Sequence, residues 1–384
     1  MSWRKIWILT IMLILLSGCG KVKEIHNQAY AVGMGIDYVD NEYHVVIQFL
    51  DFSNVAKTDQ GKSSDQVPVW ITKGKGKTIE TALSGIYQTI QMRVNFEQLN
   101  LIIFGEGMIT SKQLYEAFES LTSNFTVRLT AWTYGTQEKF DDIFTSSVIF
   151  DYPFSYSRLN QPNEGNQQSS TIPAITLRDF VWRLNEKTMT TIVPSVSLNE
   201  QHIFKESKPI KAAVINGAYI LNDKTYKGWL STSDLRGFIW ANDESIRSIT
   251  TIEEDKDHLI EVELIEPEIK LKKKKDALSY NINVNLRAMM RESLDSDMTQ
   301  EKVKKKVEAR VKEEVKKAFN AGKELGADIF QLEDNLYRYH YKEWLNNKHE
   351  KPIELANVKV NVVPLYSIEK FKSKKQDANT KREN

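Results

Sequence analysis

The sequence predicts an α+β fold of three mixed α/β domains, with antiparallel or mixed sheets packed against helices, behind a removable N-terminal leader. Three observations predict it. Short β-branched and aromatic runs alternate with segments of helical periodicity along most of the 384 residues. Hydrophobic residues make up 41% of the chain, which is enough for several cores of good size. The single cysteine stands directly behind a short apolar run near the start.

The leader combines a positive start, a short apolar core and small residues before the cysteine. Arg4 and Lys5 precede the apolar run 6–16. This run has the length of a signal-peptide core and falls short of the roughly 20 residues that a membrane-spanning helix needs. The sequence Leu16-Ser17-Gly18-Cys19 then matches the bacterial lipobox.

From this match we expect residues 1–18 to be removed as a lipoprotein signal peptide. Cys19 would then carry a diacylglycerol thioether, and residues 19–28 would form a polar tether between lipid and body. Two or three long acyl chains hold a protein on a bilayer far better than one. Two alternatives stay open: an ordinary secretory signal with a chance cysteine, and an uncleaved anchor helix.

Composition and charge exclude several classes of function. The formal net charge is +1, so no overall field favours nucleic acid as a partner. Lipidation of Cys19 leaves no thiol for a disulfide, so the exported body would be held by burial alone. The six histidines are scattered, with none at metal-ligand spacing, and we expect no metal and no cofactor.

The N-terminal domain is predicted over 29–205 as strands that alternate with helices. Thr78 is the expected N-cap of a helix that runs to Ile90, and Ser111 is the expected cap of the next. The segment 152–170 is rich in Asn and Gln and is expected to be irregular. The strands are expected at 29–37, 42–50, 67–72, 99–105, 127–134 and 191–198, and further helices at 138–144 and 176–185.

A small middle domain is predicted over 206–244. Two β-branched and aromatic runs, 210–221 and 225–230, are separated by an Asn-Asp-Lys turn and predict a hairpin. A short helix is expected to follow at 233–241. The pattern therefore predicts a compact unit between two larger domains.

The C-terminal domain is predicted over 245–368 as a sheet of long strands followed by helices and a closing strand. The helix 301–325 carries a stripe of valines on one side, and Gly326 is placed to end it. The tail 369–384 is charged and lacks apolar residues, so we expect it to be disordered. The other elements are strands at 246–252, 258–271, 277–290 and 353–365, and a helix at 328–345.

Motif searches single out no reactive constellation. Gly74-Lys-Gly-Lys-Thr78 resembles the end of a phosphate loop, but the first glycine of that motif would fall at Ile71. The lysine run 272–275 is interpreted as a solvated hairpin tip, with contact to anionic lipid headgroups as the alternative. No pair of carboxylates is singled out for glycoside hydrolysis. We therefore predict no enzymatic activity and no catalytic residue.

Short motifs occur in an order and spacing that match one known family over most of the mature chain. They are the lipobox, Ala31-Val-Gly-Met-Gly-Ile-Asp37, Phe104-Gly-Glu106, Gly217-Ala-Tyr-Ile-Leu-Asn-Asp-Lys224, Leu235-Arg-Gly237, Gly326-Ala-Asp-Ile-Phe330, Tyr337-Arg-Tyr339 and Trp344. Each motif is short, and the order makes the match specific. The chain resembles the C subunits of bacterial spore germinant receptors, the Ger(x)C lipoproteins.

This resemblance implies a lipoprotein anchored through Cys19 to the outer face of the cytoplasmic membrane, which is the inner membrane of the spore. It implies a non-catalytic subunit that works beside two integral membrane subunits, of the A and B types, in a receptor that triggers germination on small nutrients. The family has no catalytic residues to transfer, and the sequence does not name the germinant. Two other functions are kept as alternatives, a substrate-binding lipoprotein of a transporter and a cell-envelope hydrolase.

Overall fold

The computed structural model describes Trp3, Trp7 and residues 28–50, 68–124, 127–255, 258–275, 278–293, 299–347 and 353–365. Cys19, the rest of the predicted signal peptide and the predicted tether up to residue 27 lie outside the described residues, as does the tail 369–384. The described residues form a ten-stranded sheet, a two-stranded hairpin and a four-stranded sheet.

The ten-stranded sheet is mixed and organises the first part of the chain. In chain order the strands are β1 (Gln28–Val39), β2 (Glu42–Phe49), β3 (Trp70–Gly76), β4 (Arg93–Asn95), β5 (Leu101–Gly105), β6 (Trp132–Thr136), β7 (Ile175–Thr176), β8 (Thr190–Asn199), the hairpin β9 (Phe204–Lys205) and β10 (Lys208–Pro209), β11 (Ala212–Asn222) and β12 (Thr225–Ser231). The sheet order is β12-β11-β8-β6-β5-β1-β2-β3, with β4 beside β1 and β7 beside β6. Strands β1, β5, β6 and β8 run parallel in its centre.

Helices cover both faces of this sheet. They are α1 (Ile79–Tyr87), α2 (Glu106–Thr110), α3 (Leu114–Asn124), α4 (Phe140–Phe144), α5 (Pro162–Gln168) and α6 (Leu177–Asn185). On one face Phe104, Phe118 and Phe180 pack together under α3 and α6. On the other face Tyr134 and Phe144 belong to a smaller core.

Thr78 caps α1 as predicted, because its side chain accepts the Thr81 N–H and the Thr81 side chain accepts the Thr78 N–H. Two predictions in this region are wrong. Ser111 does not cap α3 but ends α2, where its N–H donates to the Met108 carbonyl. The segment 152–170 is not irregular throughout, because α5 forms within it behind Pro162.

The segment 206–244 extends the large sheet. Strand β11 pairs antiparallel with β8, from Ala212 beside Asn199 to Asn222 beside Thr190, and β12 forms the edge. Helix α7 (Arg236–Trp240) follows and packs against the C-terminal region. The segment thus shares a sheet with the preceding residues and a core with the following ones. The predicted domain boundaries themselves stay a prediction.

The C-terminal region is a four-stranded sheet backed by one long helix. Its elements are β13 (Arg247–Asp255), β14 (His258–Lys273), β15 (Ser279–Ser293), α8 (Gln300–Glu324), α9 (Leu332–Tyr339), α10 (Tyr341–Asn347) and β16 (Glu354–Pro364). The sheet order is β13-β14-β15-β16, and only its last pair is parallel. This arrangement confirms the predicted succession of long strands, long helix and closing strand.

The valine stripe of α8 is the centre of the C-terminal core. Val307, Val311 and Val315 are buried against the sheet, as the helical period predicts. Gly326 ends this region with φ +67°, a conformation that favours glycine. The helix predicted at 328–345 is divided into α9 and α10, and the break falls at His340.

Candidate functional site

The motif Ala31-Val-Gly-Met-Gly-Ile-Asp37 ends where the carboxyl ends of β1 and β5 meet. The Oδ1 atom of Asp37 accepts hydrogen bonds from the N–H groups of Tyr38 and Met108, both at 2.8 Å. Gly105 and Gly107 approach the same carboxylate so closely that a Cβ on either would overlap it. The glycines therefore let Asp37 reach the first turn of α2, and this motif serves the fold.

Two of the motifs, 217–224 and 326–330, are far apart in the chain but meet at one cavity. Its volume is about 210 Å³, and it lies among the end of α8, the turn after it, α9, α10 and the end of β11. The end of β11 contributes Asn222, whose Nδ2 also donates to the Thr190 hydroxyl at 3.3 Å. The polar walls are Asn222, Lys323, Asp328, Glu333 and Asn347, and the apolar walls include Phe319, Leu336 and Trp344.

Asp328 is the most strongly perturbed acid of this cavity. Its Oδ2 accepts the Glu333 N–H at 2.6 Å, so it satisfies a backbone donor in the first turn of α9. Its Oδ1 is buried and has no hydrogen-bond partner. Burial raises the pKa of this carboxyl to about 7. Near neutral pH both the protonated and the charged form are therefore populated, with backbone donors favouring the charged form and desolvation opposing it.

The other charged groups of the cavity are engaged with neighbours. The Nζ of Lys323 contacts both carboxylate oxygens of Glu354, at 2.9 and 3.0 Å. Glu333 accepts the indole N–H of Trp344 at 3.1 Å. The cavity thus sets amides and carboxyl groups against apolar walls, and this arrangement can hold a small polar molecule.

Aromatic side chains surround the outer side of the cavity. The rings of Tyr337 and Trp344 meet edge to face at 4.8 Å, and Tyr341 stacks on Trp344 at 5.8 Å. Next to them Arg338 donates to Asp334 at 2.7 Å and lies over the ring of Trp182. The motif Tyr337-Arg-Tyr339 and Trp344 therefore joins α9, α10 and α6 into one packed unit.

A buried carboxylate lies on the sheet of the same region. The side chain of Glu263 on β14 is 0% exposed and forms ion pairs with Arg247 of β13 and Arg291 of β15. Buried ion pairs lose much of their attraction to desolvation, so such a group is weak evidence of stabilisation by itself. It does fix the register of three strands, because each strand contributes one member.

Sequence patterns assign no role to Asp328 or Asn222, although both lie within the motifs given above. The position of Asp328 just before a helix is a capping signal that could have been used. The meeting of Asn222 with α9 depends on long-range packing and leaves no local signal. Within the ranges given above, no three His, Cys, Asp or Glu side chains are grouped to hold a metal ion. No helix in those ranges is long and apolar enough to cross a membrane.

Fold and site together define a mixed α/β protein with a small acidic cavity and two sheets joined by a shared core. The family model of the spore germination protein N-terminal domain matches residues 21–198. The model described as spore germination B3/GerAC like, C-terminal, matches residues 216–371. The two matches together cover most of the chain, which belongs to the GerAC family of spore germination proteins.

Individual relatives agree with this family. The chain is 22% identical over 245 residues to spore germination protein KC of Bacillus subtilis (strain 168), covering 61% of this chain and 60% of that protein. It is 25% identical over 238 residues to spore germination protein A3 of the same organism, covering 58% and 56%. The matched regions thus span less than two thirds of the length of these curated relatives.

The crystal structure of the GerBC protein has a similar fold. The TM-score is 0.50 at 13% identity, and the match covers 87% of this chain and 97% of that chain. At this identity the likeness concerns the fold alone. It confirms the predicted mixed α/β architecture of sheets packed with helices.

Proposed function

We propose that this chain is the lipid-anchored, non-catalytic C-type subunit of a spore germinant receptor. The observation that carries the proposal is the succession of two spore germination domains over 21–198 and 216–371. The lipobox that ends at Cys19 supports the anchor. The names of the two curated relatives, spore germination proteins KC and A3, support the process.

In this proposal the subunit lies on the outer face of the cytoplasmic membrane, which becomes the inner membrane of the spore. It works beside two integral membrane subunits of the A and B types, and the complex responds to small nutrients. A short lipid tether raises the local concentration of the body near membrane partners, which favours assembly without a large contact area. The family transfers no catalytic residue, so the role is binding and assembly.

The anchor is tested by the variant Cys19→Ala, expressed in place of the wild-type chain. We expect mass spectrometry to find a diacylglycerol adduct on Cys19 of the wild type. The variant should lack the adduct, leave the membrane fraction and slow nutrient-triggered germination. Ser17→Ala is the matched control, because alanine is also accepted at that lipobox position and should keep the adduct. An unmodified thiol on the wild-type protein would refute the anchor.

The receptor role is tested separately in spores that lack the chain. We expect them to lose the response to a nutrient while a non-nutrient trigger still breaks dormancy, because only sensing is removed. Co-purification of the wild-type chain from membranes should recover two multi-span proteins. A mutant that keeps every nutrient response would instead argue for one of the alternatives, which the family match does not favour.

A further inference from the structure

The chain leaves the body at the amino-terminal end of the parallel strands. Strand β1 begins at Gln28, and its first residues pair with β4. The starts of the neighbouring strands are tied to it by backbone hydrogen bonds, from Asn100 N–H to the Val32 carbonyl and from Trp132 N–H to the Asn100 carbonyl. The segment that leads back to Cys19 therefore departs from this end of the sheet.

Helix α9 is seated on the same end of the sheet. The side chain of Gln331 accepts the Thr190 N–H at 3.0 Å and donates to the Thr190 carbonyl at 2.7 Å, so it pairs with the first residue of β8. The Thr188 hydroxyl donates to Asp334 of α9 at 3.1 Å. These hydrogen bonds fix α9 beside the start of the parallel strands. Helix α10, which follows α9 in the chain, is held near the same place.

The tip of the β14–β15 hairpin is fastened to α10. The Nζ of Lys273 lies 2.6 Å from an oxygen of Glu343 and donates to the Lys274 carbonyl at 2.9 Å. Only 5% of the Lys273 side chain is exposed, against 47% of the Glu343 side chain, so the lysine end of this pair is shielded from water and the carboxylate end is open to it. The tip and α10 therefore form one surface, on the side of the molecule where α9 meets the start of β8.

This surface is cationic. Lys272, Lys274 and Lys275 at the hairpin tip are exposed, and so is Lys342 on α10. The carboxylates beside them are occupied, because Glu343 pairs with Lys273 and Glu354 of β16 pairs with Lys323. Both carboxylates therefore already have a partner, and the four exposed lysines present their positive charge to solvent.

The same surface carries large apolar side chains. Tyr341 and Leu345 are 52% and 51% exposed and lie four residues apart, on one face of α10. Amphipathic aromatic rings settle at the headgroup level of a bilayer, and clustered lysines are attracted to anionic lipid. Lysines alone would suit any polyanion. Lysines beside a tyrosine and a leucine fit a surface that is charged outside and apolar beneath.

The open face of the C-terminal sheet extends the positive charge. Lys272 and Lys359 line a shallow depression of about 450 Å³ whose floor includes Asn281 and Asn283. Lys270 lines it too, but its charge is paired with Glu268 at 2.8 Å. The Oδ1 atoms of both asparagines are buried and lack hydrogen-bond partners. The exposed lysines of this depression suit the phosphate of an anionic headgroup.

We propose that the basic tip, defined as Lys272, Lys274, Lys275, Tyr341, Lys342 and Leu345, docks on the anionic phospholipid surface of the bilayer that holds the lipid anchor. This inference rests on the proposed lipidation of Cys19. The nine residues from there to Gln28 reach at most roughly 30 Å, which keeps this end of the body near the headgroups. The lipid thus supplies attachment, and the basic tip supplies orientation.

The test uses the intact lipidated protein in vesicles and follows amide hydrogen exchange by mass spectrometry. One vesicle preparation contains phosphatidylcholine alone, and the other also contains phosphatidylglycerol. We expect peptides that cover the hairpin tip and α10 to exchange more slowly only with phosphatidylglycerol, and high salt to abolish the difference. Each lysine near an anionic surface strengthens association about fivefold, so loss of two weakens docking about 25-fold and their replacement by glutamate weakens it further.

The charge reversal Lys274→Glu with Lys275→Glu should therefore remove the protection while the protein stays on the vesicles. Tyr341→Ser with Leu345→Ser should reduce it at unchanged charge. The matched control is Lys112→Glu with Lys139→Glu, an equal charge change on exposed residues that follow the carboxyl ends of β5 and β6. This control should leave the protection intact.

The possible failures are distinguishable. Release of the wild-type protein from both kinds of vesicle would overturn the lipid anchor, which is the part of the proposed function on which docking rests. If the wild-type protein stays on both kinds of vesicle and the peptides of the hairpin tip and α10 exchange equally in both, the docking proposal alone is overturned. Protection that appears only when the integral membrane subunits are added would also overturn it and would assign the basic tip to a protein partner.

Discussion

Gly237 offers the sharpest test of how the two sheets are joined. It lies on α7, and a Cβ built there would lie 2.0 Å from the Glu314 carbonyl oxygen and 2.4 Å from the Val315 nitrogen of α8. Both are backbone atoms of a long helix, so no side chain can rotate away. Gly237→Ala therefore forces α7 and α8 apart by about 1 Å. Ile239 and Trp240 of α7 then lose their close packing in the C-terminal core.

The cost follows from this geometry. Overpacking a well-packed core costs typically about 1–3 kcal/mol, and a contact between two backbones belongs at the upper end, about 3 kcal/mol. For domains of this size each kcal/mol lowers the melting temperature by roughly 2–4 °C, which predicts a loss of roughly 6–12 °C. Circular dichroism during thermal unfolding of the full chain measures it.

Gly85→Ala is the matched control, because it makes the same chemical change in another helix. Gly85 is an exposed residue of α1, and a Cβ there would meet nothing within 4 Å. Alanine in a helix interior is favoured over glycine by roughly 0.5–1 kcal/mol, so this variant should be slightly more stable than the wild type. The reasoning fails if Gly237→Ala unfolds at or above the melting temperature of Gly85→Ala.

The remaining predictions concern two buried carboxyl groups. Burial raises the pKa of Asp328 to about 7 from an ordinary value of 3.8, so its contribution to stability is full below about pH 4 and is lost as the pH rises through 7. The wild type should lose on the order of 4 kcal/mol between pH 4 and pH 8 in urea titrations, and Asp328→Asn should flatten this slope. Glu263→Gln should cost about 1–2 kcal/mol in the same titrations, because it removes two ion pairs while both arginines, 37% and 41% exposed, stay in contact with water. Glu268→Gln, at an exposed pair, should change little.

Local signals in the sequence were sufficient for the elements they govern. Thr78 and Gly326 fix the start of α1 and the end of the α8 region because a cap and a left-handed turn depend on neighbouring backbone only. The valine stripe of α8 was predictable because burial imposes the helical period on the sequence. Helix α5 was missed because its sequence, Pro-Asn-Glu-Gly-Asn-Gln-Gln, has no apolar period.

Long-range pairing is the part that sequence reasoning could not reach. The hairpin of the predicted middle domain joins the large sheet because β11 pairs with β8 across an intervening hairpin, and no local pattern encodes that partner. The cavity at Asp328 depends on the same pairing, since it brings Asn222 to α9. The lysine run 272–275 was correctly predicted near a hairpin turn, but its fastening to α10 through Lys273 depends on tertiary packing.

Orientation at a membrane requires the two sheets to move as one body, and two separate contacts meet this requirement. One is the crossing of α7 and α8 at Gly237, and the other is the pairing of Gln331 with Thr190. A single contact would allow rotation about it, whereas two contacts at different places remove that freedom. The first joins the edge of the large sheet to the C-terminal core, and the second joins α9 to the start of β8. The basic tip therefore keeps a fixed relation to the point where β1 begins, and this relation lets a tether and a docking surface act on the same bilayer.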